Sequence, residues 1–247
     1  MKTGLLYVSF GSNCDRLLAY CVAYSRQFTK LPICVLTNIP ESQRDVKWGD
    51  VDNIEFMYFD LPTENNRQIK TTMNQYAPFD YNIYMDADSF IWKPTFDAVI
   101  QFILSTSPDI VFNHFCDYPY TDGRFQNIYL RALRQFECDM PLRVYNGAFI
   151  GFKKNVNTDK FFLTWNTLWK EFGSQREMPP LACAVQKVKE LKINCLPPLF
   201  FCPDGRNDDS VVQHNYGEDF YSRIGVEPIQ LSHQASYEQN AYGFTQL

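Results

Sequence analysis

Apolar runs and helical spacings alternate along the first half of the chain. Residues 5–10 form a mostly apolar run that stops at Gly11-Ser12-Asn13. A short run closed by turn residues predicts a buried strand. Residues 15–28 set Leu17, Leu18, Cys21, Val22 and Tyr24 on one broad face, which predicts a helix. Strand-like runs follow at 32–37 and 54–59, the second closed by Asp60-Leu61-Pro62. Helical spacing returns at 66–76, a strand at 81–85, a helix at 95–104 and a strand at 109–113. Strands alternating with helices predict an α/β fold with a mixed, mostly parallel central sheet flanked by helices. The second half is less even. Residues 114–143 are irregular apart from a helical stretch at 125–136. A strand at 144–152 contains Asn146-Gly147, and helices are predicted at 159–172 and 179–191. A short strand within 193–202 is broken by Pro197-Pro198, and loops are expected from residue 205 onward. No internal repeat or low-complexity tract interrupts this order.

Composition narrows the class. With 247 residues, 45% apolar and 21% charged, the chain suits one sizeable globular domain. The net charge of −5 argues against a generic nucleic-acid binder, which is normally basic. Aromatics reach 16%, enough to fill a core and still line a groove for a planar or sugar ligand. Eight cysteines stand at 14, 21, 34, 116, 138, 183, 195 and 202, with no CxxC pair. That spacing matches no zinc template and predicts free thiols in a reducing compartment. The chain opens Met-Lys-Thr-Gly and runs at once into a strand, without a signal-peptide pattern. Its longest apolar candidate, 95–112, carries Asp97, Gln101 and Asp109, so no membrane span and a cytoplasmic location are expected.

The chemistry concentrates at Tyr84-Met85-Asp86-Ala87-Asp88. In an extended segment, residues i and i+2 project to one side, so Asp86 and Asp88 are expected to aim at one point. Two carboxylates that close repel unless a cation or proton separates them. Oxygen ligands of this kind suit a hard divalent ion, Mn²⁺ or Mg²⁺. In open α/β sheets, ligands bind beyond the carboxyl ends of the strands, where this pair is expected.

Four segments in order resemble the GT-A glycosyltransferases: the first strand, KTTMNQYAPFDYNIYMDADSF, YNGAFIGF and VVQHNYG. The resemblance implies a single GT-A (Rossmann-like) domain over 1–247. Residues 1–113 would be the nucleotide-binding half, and 114–247 the acceptor-side half with C-terminal loops. It implies a nucleoside diphosphate sugar donor, with UDP the expected nucleotide, and a hexosyl- or pentosyltransferase acting with Mn²⁺ or Mg²⁺. The branch with a late histidine is retaining, which favours retention. The segment after His214 departs from that branch: Lys-Pro-Trp is absent, and Gly217 is followed by Glu218-Asp219.

On that resemblance, Asp86 and Asp88 hold the metal and assist departure of the diphosphate. His214 is the third ligand, with His233 as its rival. Lys70 contacts the diphosphate or steadies the carboxylates, unless it is a solvated helix lysine. Ser9, Phe10, Gly11 and Asn13, with Ala87, border the base and ribose. Asn146, Gly147 and Ala148 line the sugar side, unless they are only a bulge in a strand. From their Gly/Asn-rich context, Asp204, Asp208 and Asp209 read as an exposed acidic loop, with a base for an inverting reaction as the alternative. Arg124, Arg131, Arg134 and Arg143 read as a solvated face, with receipt of an acceptor phosphate as the alternative. The acceptor itself (glycan, lipid, protein or modified nucleobase) is not encoded in any motif. Two competing readings remain: a DxD phosphohydrolase of haloacid dehalogenase type, and a non-catalytic nucleotide-sugar-binding module.

Overall fold

The computed structural model describes residues 1–113, 115–117, 126–140, 143–197, 200–202 and 209–214. The strands are β1 (Thr3–Ser9), β2 (Ile33–Thr37), β3 (Ile54–Tyr58), β4 (Tyr81–Met85), β5 (Ser89–Ile91), β6 (Ile110–Phe112), β7 (Phe115–Asp117), β8 (Arg143–Tyr145), β9 (Phe149–Lys153), β10 (Ile193–Cys195), β11 (Phe201–Cys202) and β12 (Val212–His214). The helices are α1 (Ser12–Ser25), α2 (Asn66–Thr72), α3 (Phe96–Ser105), α4 (Gln126–Gln135), α5 (Val156–Glu171) and α6 (Met178–Lys187).

Seven strands form the main sheet in the order β10-β6-β9-β4-β1-β2-β3. All run parallel except β9, which pairs antiparallel with β4 and β6. A sheet covered on both faces needs apolar residues on both sides of each strand. β1 supplies them: Leu6 and Val8 enter one apolar layer, Leu5 and Tyr7 the other. The first layer is covered by α2, α4, α5 and α6, through Ile69, Leu133, Trp165 and Leu181. The second is covered by α1 and α3, through Leu18, Val22, Phe96 and Ile100. A three-stranded sheet, β11-β12-β5, lies beyond the end of β4, and β7 pairs with β8.

The first half follows the predicted order of elements, with β5 as an unpredicted strand after β4. In the second half β7 falls in the stretch expected as irregular, and two further differences bear on the site. The run expected as one strand over 144–152 is split into β8 and β9. Asn146 Oδ1 accepts the Ala148 amide at 2.8 Å, and this local bond turns the backbone out of the strand. The tail expected as loop contains β12, because its residues pair with β5: Val212 with Ile91, Gln213 with Phe90, His214 with Ser89. Among the described residues, Cys14, Cys21, Cys34, Cys138, Cys183, Cys195 and Cys202 form no disulfide. Among the described residues, no helix is long and apolar enough to cross a membrane.

Asp109 pins the far side of the sheet to α5. Its carboxylate accepts Asn155 Nδ2 at 2.6 Å, Asn157 Nδ2 at 3.1 Å and the Lys192 amide at 3.0 Å. Burial works against the charged form, but these bonds outweigh it and hold the carboxyl below its ordinary value. A depressed carboxyl stabilises the fold above its unfolded pKa, and that contribution disappears as pH falls through the folded one. Asp109→Ala is expected to cost about 2–3 kcal/mol at neutral pH. The deficit should shrink in acid, below pH ~4, as urea denaturation at several pH values would read.

Candidate functional site

The strand order reverses at β1, with β2 and β3 on one side and β4 on the other. A crevice opens at such a point, beyond the carboxyl ends of the strands. Gly11 leaves β1 there with φ +90, a conformation open mainly to glycine. A Cβ at Gly11 would sit 3.1 Å from Thr63 Cγ2. The Gly11 amide donates to Asn38 Oδ1 at 2.8 Å, and Asn38 Nδ2 donates to the Leu61 carbonyl at 3.0 Å. Asn38 thus ties together the ends of β1, β2 and β3. Ser9 is buried, Asn13 is exposed in the first turn of α1, and Phe10 packs against Phe59 with ring centroids 6.3 Å apart. Of the four, Gly11 and Asn13 face outward, and Ser9 and Phe10 shape the wall from behind.

Asp86 leaves β4 beside them. The expected extended geometry is replaced by a tight turn: the Ser89 amide donates to the Asp86 carbonyl at 2.9 Å, with Ala87 and Asp88 at its apex. The two carboxylates still converge, because this turn reverses the chain into β5. Pairing of β12 with β5 then sets the fully buried His214 against Ser89. Its Nε2 lies 3.2 Å from Asp88 Oδ1 and 3.8 Å from Asp86 Oδ2. One ligand atom from each of Asp86, Asp88 and His214 lies within 4.8 Å of the others. Three electron-rich atoms this close require a proton or a cation among them. Two carboxylates and an imidazole suit Mn²⁺ or Mg²⁺.

Behind the carboxylates runs a charge network. Lys70, on α2, lies with Nζ 2.9 Å from Asp86 Oδ1 and 3.3 Å from Glu177 Oε1. The Tyr84 hydroxyl donates to the same Asp86 Oδ1. Asp86 therefore has one oxygen engaged by the protein and the other turned toward His214. Arg67 Nε approaches Glu177 Oε2 at 3.4 Å, and Arg67 also donates to the Gln175 carbonyl. Burial alone would lower the Lys70 pKa, but Asp86 and Glu177 outweigh it and raise it, so the ammonium persists. Burial would raise Glu177, but Lys70 and Arg67 bring it below the ordinary carboxylate range. Burial, with Asp86 adding, pushes Tyr84 far up, so it stays a neutral donor.

The turn at 146–148 closes one side of this network. The Ala148 carbonyl accepts the Asp86 amide at 2.9 Å. A Cβ at Gly147 would lie 3.8 Å from Lys70 Nζ. Asn146 is half-exposed, its side-chain oxygen spent on the Ala148 amide.

Asp86, Ala87, Asp88, His214, Lys70, Gly147 and Ala148 are thus brought together, with Gly11 across the crevice. Arg131 is not brought there. It donates to the Phe172 carbonyl at 3.2 Å and stacks 4.0 Å over the Phe172 ring, closing the carboxyl end of α5. Asp209 is exposed. Arg124, Asp204, Asp208 and His233 lie outside the described residues. Sequence reasoning missed Tyr84, Glu177, Arg67 and Asn38. Tyr84 had a signal, since it precedes Asp86 by two on the same strand edge. Glu177, just ahead of the Pro-Pro start of α6, had none that singled it out.

No protein-family model matches the chain, and no curated protein matches it in sequence. Solved structures do match its fold. Galactosyltransferase LgtC, in complex with donor and acceptor sugar analogs, aligns with a TM-score of 0.59 at 11% identity, over 99% of this chain and 97% of that one. An active-site mutant of LgtC aligns with a TM-score of 0.60 at 12% identity, over the same shares. Mouse xyloside xylosyltransferase 1 aligns with a TM-score of 0.56 at 10% identity, over 87% of this chain and 98% of that one. The chain shares the GT-A fold of these neighbours.

Proposed function

We propose that this chain is a metal-dependent glycosyltransferase. It moves a hexosyl or pentosyl group from a nucleoside diphosphate sugar, UDP being the expected nucleotide, to an acceptor hydroxyl. One observation carries the reading: the ligand atoms of Asp86, Asp88 and His214 converge at the point where the strand order reverses. The fold is shared with a galactosyltransferase holding donor and acceptor sugar analogs and with a xylosyltransferase, which supports it.

Asp86, Asp88 and His214 hold Mn²⁺ or Mg²⁺ in this reading. Bound there, such an ion supplies Lewis-acid neutralisation of the charge that builds on the departing diphosphate. Lys70 and Tyr84 hold Asp86 Oδ1 and keep the carboxylate aimed, as partners behind a metal ligand do. Gly11 lets the backbone approach the nucleoside closely, with Ser9 and Phe10 as its backing. Asn13, in the first turn of α1, adds amide dipoles that favour an anion. Asn146, Gly147 and Ala148 border the sugar. An inverting reaction needs a carboxylate base for the acceptor hydroxyl. Each carboxylate described at the site already has a partner: Asp86 has Lys70, Glu177 has Lys70 and Arg67, and Asp88 has His214. That favours retention. The free thiols fit a cytoplasmic location.

The phosphohydrolase alternative needs an aspartate free to attack phosphorus, and Asp86 Oδ1 is held by Lys70 and Tyr84. The test is a panel of UDP-, GDP- and CDP-sugars with Mn²⁺ or Mg²⁺. The expected result is slow release of nucleoside diphosphate from one family of donors, abolished by EDTA. Tight binding without turnover would point to a binding module. Free phosphate from simple phosphomonoesters would point to the hydrolase.

A further inference from the structure

Away from that site, two thiols meet where the loop after α4 docks on α6. The Cys138 amide donates to the Leu133 carbonyl at 3.0 Å, and Glu137 takes a φ of 50, so α4 ends in a tight reversal. The Asp139 amide then donates to Gln186 Oε1 at 2.7 Å, and Gln186 Nε2 donates back to the Asp139 carbonyl at 2.9 Å. Gln186 and Cys183 are three residues apart and share a face of α6. This clasp brings Cys138 to the face of α6 that carries Cys183. Cys183 is fully buried in the apolar layer; Cys138 packs against that layer and is half-exposed.

The Cys138 thiol donates to the Phe136 carbonyl at 3.8 Å. Interaction with the Cys183 thiol beside it outweighs burial and holds the Cys138 pKa below its ordinary value, with nearby Lys187 adding to the effect. The same interaction, and burial, push Cys183 up. Cys138 thus has the marks of an attacking thiol: partial exposure, a cationic neighbour and a stabilised thiolate.

We propose that Cys138 and Cys183 form a reversible redox site, closed into a disulfide by a peroxide and reopened by small thiols. The Cys138 thiolate attacks one oxygen of hydrogen peroxide. The O–O bond breaks, and hydroxide leaves and takes up a proton as water. Cys138 is then a sulfenic acid. The Cys183 sulfur attacks the Cys138 sulfur, the S–O bond breaks, and the Cys183 proton leaves with hydroxide as a second water. The two thiols lose two electrons and the peroxide gains them. Two equivalents of a small thiol reverse the change and leave as their own disulfide. The closed loop would run from 138 to 183. It contains the 146–148 turn, α5 and Glu177, so the bridge braces one wall of the candidate site. The proposal does not depend on the transferase reading.

The experiment treats the folded protein with hydrogen peroxide, blocks remaining thiols with iodoacetamide, and maps peptides without reduction. The expected product is one peptide pair joined through Cys138 and Cys183. The melting temperature should rise by about 5–10 °C, and dithiothreitol should reverse both changes. Cys138→Ser and Cys183→Ala should each lose the rise, and Cys195→Ser should keep it. Should Cys183→Ala fail to fold, the wild-type peptide map decides alone. The proposal is overturned if Cys138 and Cys183 both carry the alkyl label while other thiols oxidise. It is equally overturned if Cys138 oxidises and no bond to Cys183 forms.

Discussion

Asp88→Asn is expected to lower metal-dependent turnover of the donor by roughly 10²–10³-fold, the cost of losing a main stabiliser of developing charge. The substitution keeps the size of the side chain and removes its charge. Asp88 faces His214 Nε2 at 3.2 Å, and its side chain is 14% exposed. Its role is therefore in the cluster more than in the fold. Without metal, the variant should be as stable as the parent or slightly more so, because one of two crowded carboxylates is neutralised. With metal, the two should part. A ligand that binds the native state stabilises it by about 2.7 kcal/mol at a hundred times its dissociation constant. The parent should show that gain on adding Mn²⁺, and the variant should show little. Thermal melts with and without Mn²⁺, run beside the turnover assay, read both effects. Full metal-dependent turnover in the variant would remove the ground for the proposed function.

Lys70→Met is expected to be the most destabilising single change at the site. The lysine lies between two carboxylates, 2.9 Å from Asp86 and 3.3 Å from Glu177, with its own side chain 8% exposed. Removing one member of a buried ion group strands the others, typically at about 3–5 kcal/mol. Glu177 keeps Arg67, so the low end, about 3 kcal/mol, is expected in the absence of metal. Lys70→Met with Glu177→Gln should recover part of that loss, since one stranded charge is gone. The pH dependence has a definite sign. A raised lysine stabilises at all pH values below its unfolded pKa, so the gap should be flat through neutrality. Glu177 is depressed, so its share is present above the ordinary value of 4.5 and is lost as pH falls through the folded one. The difference between parent and variant in urea midpoint should therefore narrow in acid. A variant as stable as the parent at neutral pH would show that Lys70 contributes no counter-charge.

Much of the fold was legible in the chain. β1, β2 and β4 are buried on both faces, and such strands must read as nearly continuous apolar runs. α1 and α3 each show one apolar face at helical spacing. The pair Asp86 and Asp88 was legible for a similar reason: an apolar strand that ends in two carboxylates one residue apart has few structural uses. The route was different from the one expected, a β-turn in place of strand alternation, yet both bring side chains two apart to one side. Lys70 was legible as a candidate but not as a bridge, since its second partner comes from far along the chain.

The remainder depended on contacts between distant segments. His214 was named by its motif, but its three-residue strand was expected as loop, and it reaches the carboxylates because β12 pairs with β5. Glu177 enters because α6 packs where its first turn meets Lys70 and Arg67. Asn146 bends the chain because its own side chain competes with the strand ladder. The amino-acid order alone determined most strands and helices of the first half, and where two acids end a strand, because local periodicity and burial act over a few residues. The tertiary structure alone decided how His214 reaches those acids and which glutamate shares their lysine, because sheet register and helix packing are set by the whole chain at once.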